Sequence, residues 1–206
     1  VIDNANLTVT NSRAVESKKL TITKIWEDET NKEGFRPDSV VINVTGNGVT
    51  KPVTVTGEKN VNTWTAEVDV QKYANGEEIA YTLSETKLAN YNEPVIDNAT
   101  LTVTNGRDVA SKTLKITKIW EDESNKEGFR PGEVTITVNG SDGSSTAVKV
   151  TGTGDSWEAS VTLPKYKEGK EITYTLSETK LENYNEPVID NDKLTVTNSR
   201  AVESKK

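Results

Sequence analysis

The sequence predicts an all-β protein built as two tandem β-sandwich domains joined by a short linker. Three observations carry the prediction. Apolar and polar residues alternate with period two in short runs bounded by Gly, Asn and Pro, the pattern of strands wet on one face. No stretch carries a helical apolar stripe. The pattern also occurs twice, because residues 1–37 recur as residues 95–131 and residues 77–98 recur as residues 170–191 with few changes. Such a repeat is about twice the length of a solenoid unit, so each copy can bury a core of its own.

In the first copy the alternation marks strands at residues 20–26, 40–44, 53–56, 64–70, 79–85 and 101–105. Asn-Gly pairs at Asn47 and Asn75 supply tight turns between them. Length differences between the copies fall in two Gly-rich regions, 45–50 against 139–145 and 57–64 against 152–157, where loops tolerate change. About seven short strands per copy indicate an Ig-like two-sheet sandwich. The chain then divides into residues 1–11, the final strand of a preceding repeat; a linker, 12–19; a first domain, 20–105; a linker, 106–113; a second domain, 114–198; and the start of a further linker, 199–206.

Composition narrows the chemistry. The net charge is -7, with no run of Lys or Arg, so neither nucleic acid nor an anionic membrane is an expected partner. Cys, Met and His are absent, which removes disulfides, thiolate chemistry, imidazole bases and the commonest transition-metal ligands. No cofactor is called for, and any chemistry falls to Lys, Asp, Glu, Asn, Thr or Tyr.

Side chains at i and i+2 share one face of a strand, so the alternation also assigns faces. In the first strand the inward set is Leu20, Ile22, Lys24 and Trp26; in the penultimate strand it is Ile79, Tyr81, Leu83 and Glu85; in the last it is Leu101, Val103 and Asn105. Each row therefore contains one polar residue in apolar register, and the second copy repeats the placement with Lys118, Glu178 and Asn198. Burying an isolated ammonium or carboxylate costs several kcal/mol, so such groups pair, neutralise or react. Three readings follow from the residues: a satisfied buried ion pair with an amide partner, strand-end residues that reach water along their stems, or a reactive cluster.

The segment KIWEDETNKEGFRP, the YTLSE strand and the terminal TVTN strand resemble the B-repeat (CnaB) domains of Gram-positive collagen-binding adhesins and related pilins. The resemblance covers both copies, with three motifs in order. It implies an intramolecular isopeptide bond from Lys24 to Asn105 with Glu85 assisting, and from Lys118 to Asn198 with Glu178 assisting, formed without an external enzyme. It further implies a structural spacer on the bacterial cell surface, wall-anchored through other parts of its parent. Neighbouring repeats of the same chain would then be its partners, and any host ligand would be bound by another domain. Two other readings stand beside it, a directly ligand-binding adhesive module and an accessory domain of a secreted enzyme.

Weaker signals point elsewhere. The acidic runs EDETNKEG and EDESNKEG offer Asp28, Asn31 and Glu33, with copies Asp122, Asn125 and Glu127, as oxygen ligands for a metal. They fail the Ca²⁺-loop spacing and read instead as solvated loops. The four Trp and six Tyr mostly fall in inward register, as core rather than as a sugar-binding platform.

Overall fold

The computed structural model describes residues 1–202, so residues 203–206 of the expected final linker lie outside the described residues. The chain divides into two compact units that meet between Val109 and Ala110. No helix occurs among the described residues.

Residues 1–11 do not form one extended strand. They fold as a small hairpin of β1 (Ile2–Asp3) and β2 (Thr8–Val9) with Ile2 opposite Val9. The Asp3 carboxylate accepts from the Ala5 and Asn6 amides and Leu7 takes φ 54°, which reverses the chain locally. An equivalent hairpin closes each repeat.

The first repeat contains β3 (Ser17–Glu27), β4 (Ser39–Gly46), β5 (Val49–Thr56), β6 (Thr63–Gln71), a ribbon of β7 (Tyr73–Ala74) and β8 (Glu77–Glu78), then β9 (Thr82–Ser84), β10 (Val95–Asp97) and β11 (Thr102–Gly106). One sheet has the order β10-β11-β3-β6 and the other β5-β4-β9. The second repeat reproduces this with β12 (Ser111–Glu121), β13 (Val134–Gly140), β14 (Ser145–Val150), β15 (Ser156–Pro164), β16 (Tyr166–Lys167), β17 (Lys170–Glu171), β18 (Tyr174–Ser177), β19 (Val188–Asp190) and β20 (Thr195–Ser199). Its sheets run β15-β12-β20-β19 and β14-β13-β18.

The strands depart from the alternation in four places. β5 starts at Val49 rather than at 53, because the turn at Asn47 and Gly48 lets it pair with β4 as far as Gly46. β3 and β12 start at Ser17 and Ser111, inside the expected linkers, because β6 and β15 are long enough to pair with them as far as Gln71 and Pro164. The expected strand 79–85 is interrupted. Asn75 and Gly76, at φ 51° and 85°, turn the chain into the β7–β8 ribbon, and of residues 79–85 only Thr82–Ser84 then pair with β4. β10 was not marked, since three residues are too few to reveal a period.

The core of the first repeat packs Ile22 and Val103 from one sheet against Ile42, Val44, Val55 and Leu83 from the other, with Trp26, Trp64 and Tyr91 filling one end. Gly57 lies so close to Trp64 that an added Cβ would sit 2.2 Å from the indole, so the glycine lets that ring pack. The connection that matters for chemistry is the pairing of β11 with β3. First and last strands are parallel neighbours, with Val103 opposite Lys24 and Asn105 opposite Trp26. β20 and β12 do the same, with Val196 opposite Lys118 and Asn198 opposite Trp120.

Candidate functional site

Parallel pairing of the two end strands places their inward rows side by side, and each row contains one of the polar residues singled out above. Lys24 and Asn105 are fully buried, as are Lys118 and Asn198. Lys24 Nζ donates to the side-chain Oδ1 of Asn105, and Lys118 Nζ donates to Oδ1 of Asn198. Glu85 arrives from the opposite sheet, one residue beyond β9, and places Oε2 3.8 Å from Lys24 Nζ. Glu178 holds the same 3.8 Å separation from Lys118.

The acid and amine side chains are at most 1% exposed, so none reaches water along its stem. Nor is the cluster a satisfied ion pair with an amide partner. Both carboxylate oxygens of Glu85 and Glu178 and the Nδ2 atoms of Asn105 and Asn198 are buried without a hydrogen-bond partner among the described residues. Orphaned polar atoms in an interior are costly and rare. Here they recur at identical positions in two repeats.

Burial lowers the Lys24 amine from its ordinary value to about 8, and the nearby Arg36 charge adds to the effect against the opposing charges of Glu85 and Asp28. Burial likewise raises the Glu85 carboxyl, against the charge of Lys24 and the Asn105 amide. Lys118, lowered to about 8, and Glu178, raised, have the same causes in the second repeat. Both shifts favour the uncharged forms, a neutral amine beside a protonated acid.

Trp26 forms one wall of the pocket. Lys24 Nζ lies 4.5 Å from its ring centroid and the Arg36 guanidinium 5.1 Å away, while Trp64 and Tyr91 pack on it at 5.1 and 5.3 Å.

The acidic runs are solvated only in part: Glu27, Glu29, Lys32, Glu121, Glu123 and Lys126 are exposed as expected, whereas Asp28, Glu33 and Asp122 are buried. Glu29, Thr30 and Asn31 take φ of 51°, 60° and 58°, and Glu123, Ser124 and Asn125 repeat the left-handed turn. A run of three such non-glycine residues is strained and is held by what it brings inward. Asp28 accepts from Arg36 and from the Tyr91 hydroxyl, the latter at 2.7 Å. Asn31 Oδ1 caps the Arg36 amide at 3.0 Å. Glu33 pairs with Arg107, two residues beyond Asn105. In the second repeat Asp122 holds Arg130 and Tyr184, Asn125 caps Arg130, and Glu127 pairs with Arg200. The proposed oxygen ligands are thus engaged with arginines of their own repeat.

Arg36, Tyr91 and Arg107, with their copies Arg130, Tyr184 and Arg200, were missed by the reading of faces because none lies in a strand's inward row. A signal was present in the identical GFRP segments and in the Arg that follows each terminal Asn by two residues.

Comparison with known proteins identifies the family of the two repeats. The family model described as Cna protein B-type domain matches residues 20–106 and again residues 114–199. The collagen adhesin of Staphylococcus aureus is 30% identical over 184 residues, covering 86% of this chain and 15% of the adhesin. The crystal structure of two B repeat units (B1B2) of the collagen-binding protein of Staphylococcus aureus superimposes with a TM-score of 0.67 at 28% identity, covering 89% of this chain and 49% of that one. A single B repeat unit of the same surface protein is 30% identical, covering 91% of this chain and all of its own, with a TM-score of 0.39. With both repeats matched from first strand to last, the chain belongs to the Cna protein B-type domain family as a tandem pair of its domains.

Proposed function

We propose that each repeat is a self-locking structural module of a Gram-positive surface adhesin, closed by an amide between Lys24 and Asn105 and another between Lys118 and Asn198. The observation that carries this reading is the recurrence, in both copies, of a buried amine on a carboxamide, 3.8 Å from a buried carboxyl group that lacks a hydrogen bond among the described residues. Proton transfer from Lys24 to Glu85 leaves a neutral amine, which attacks Cγ of Asn105. The protonated acid polarises the carbonyl oxygen and then delivers its proton to Nδ2, while the attacking nitrogen returns one to the carboxylate. The Cγ–Nδ2 bond breaks, the Nζ–Cγ bond remains, and one ammonia leaves with Glu85 again protonated. The orphaned Nδ2 is the atom that departs. Holding the groups together substitutes for an encounter in solution, a gain of about 7 to 11 kcal/mol. Each repeat reacts once and has no turnover.

Such a lock suits a spacer between a surface and a distal binding domain, since it joins the first strand to the last and works without Cys. Intact mass under denaturing conditions tests the reading: the finished chain is lighter than its formula by two ammonia molecules. A chain at its unmodified mass rules it out.

A further inference from the structure

The lock needs three groups from three strands, and one short turn touches the neighbourhood of all three. Between β10 and β11, Asn98 turns its Oδ1 toward the other sheet and accepts from the Leu83 amide at 2.7 Å. Leu83 lies two residues before Glu85 on β9, an edge strand of its sheet. A few residues later the Leu101 carbonyl accepts from the Thr23 amide at 3.0 Å, next to Lys24. The chain then enters β11, which contains Asn105. The second repeat has the same stitch, from Leu176 to Asn191 Oδ1 at 2.7 Å and from Thr117 to the Leu194 carbonyl at 3.0 Å.

The stitch matters because β9 is weakly held. It has three residues, pairs with β4 only through Asn43, Val44 and Thr45, and ends at Ser84. Glu85 follows with neither carboxylate oxygen hydrogen-bonded among the described residues and with Lys24 as its charge partner only at 3.8 Å, so its place depends chiefly on the backbone that leads to it. An amide oxygen occupying an edge N–H acts as a one-residue strand.

We infer that Asn98 and Asn191 are positioning residues for bond formation: each stitches the strand before the glutamate to the hairpin bearing the reactive asparagine. The inference rests on the cross-linking function proposed above. It assigns the Asn98 side chain an acceptor role and no contact with the reacting atoms.

The test uses the full chain made by cell-free translation, with the ammonia lost from each repeat followed over time by denaturing mass spectrometry and peptide mapping. Asn98→Ala is expected to slow locking of the first repeat on the order of 10- to 100-fold, the scale of a catalytic group displaced by a fraction of an ångström to an ångström. The second repeat, unchanged, is the internal clock. Asn98→Asp keeps an acceptor on an exposed turn and is expected to restore the rate. Asp97→Ala is the control for general loosening, because Asp97 caps the same turn at Ala99 and Thr100 without touching Leu83; its rate should stay near wild type.

A wild-type rate in Asn98→Ala, no rescue by Asp, or equal slowing by Asp97→Ala overturns the inference. If Asn98→Ala does not fold by circular dichroism, Asn191→Ala is judged in the second repeat by the same criteria. A wild-type chain that never loses ammonia removes the cross-linking function itself, and this inference with it.

Discussion

Lysine, glutamate and asparagine are each poor tenants of an apolar interior, and a repeat that buries all three with several polar atoms lacking hydrogen bonds carries a cost that the proposed reaction would relieve. The roles are separable by single substitutions. Glu85→Ala is expected to leave the first repeat folded with Lys24 and Asn105 unjoined while Glu178 still serves the second, so the chain loses one ammonia instead of two. Asn198→Ala leaves Lys118 a free amine. Its folded value of about 8 lies below the ordinary 10.5, so across that interval the unfolded chain binds more protons and stability rises with pH. Urea midpoints of the second repeat at pH 8 and pH 10.5 check the sign, and a flat profile would show that the buried amine is not depressed.

At the scale of an element, one turn ties the first strand of the repeat to the last. The left-handed turn after β3 binds Arg36 through Asp28 and grips the end of β11 through the Glu33–Arg107 pair. Arg36 and Asp28 side chains are no more than 1% exposed, and removing one partner of such a buried pair typically costs about 3 to 5 kcal/mol. Arg36→Ala should therefore lower the urea midpoint of the first repeat far more than Lys32→Ala, which removes only an exposed pair with Glu29. Acid probes the same network in the second repeat. Burial alone would raise Asp122, but its bonds to Arg130 and Tyr184 hold it down at about 2 against an ordinary 3.8. A depressed carboxyl contributes stability that is complete above its unfolded value and lost as pH falls through its folded one. Weakening is thus expected between about pH 4 and pH 2, measured by Trp fluorescence, and less of it in Tyr184→Phe.

At the scale of a whole repeat, parallel pairing of the end strands sets the mechanics. Tension entering at the start of β3 and leaving at the end of β11 pulls neighbouring strands past each other, a load that the amide proposed between Lys24 and Asn105 would carry covalently. The proposed lock would close a loop spanning 81 residues, which by the chain-entropy model for disulfides would stabilise the fold by about 4 to 5 kcal/mol. In a single-molecule pulling experiment, Lys24→Arg should release the loop's contour length, roughly 280 Å at about 3.5 Å per residue, whereas the wild-type first repeat should not. Release of that length from a wild-type chain shown by mass to be locked would mean that the bond joins other residues.

Self-comparison revealed the duplication, and alternation was sufficient to recognise most strands and the inward rows of Lys24, Glu85 and Asn105, because a strand's facing pattern is local and has period two. It could not distinguish a solvated acidic loop from a buried one: Asp28 and Glu33 are inside only because Arg36, Tyr91 and Arg107 come from positions scattered along the chain to meet them. The short β10, and the true bounds of β9 within residues 79–85, were equally beyond its reach, being set by partners rather than by their own residues. Which three polar groups share a pocket, and that their spare atoms find no partners, was decided by packing two sheets face to face, where contacts depend on strand order and register rather than on neighbours in the chain.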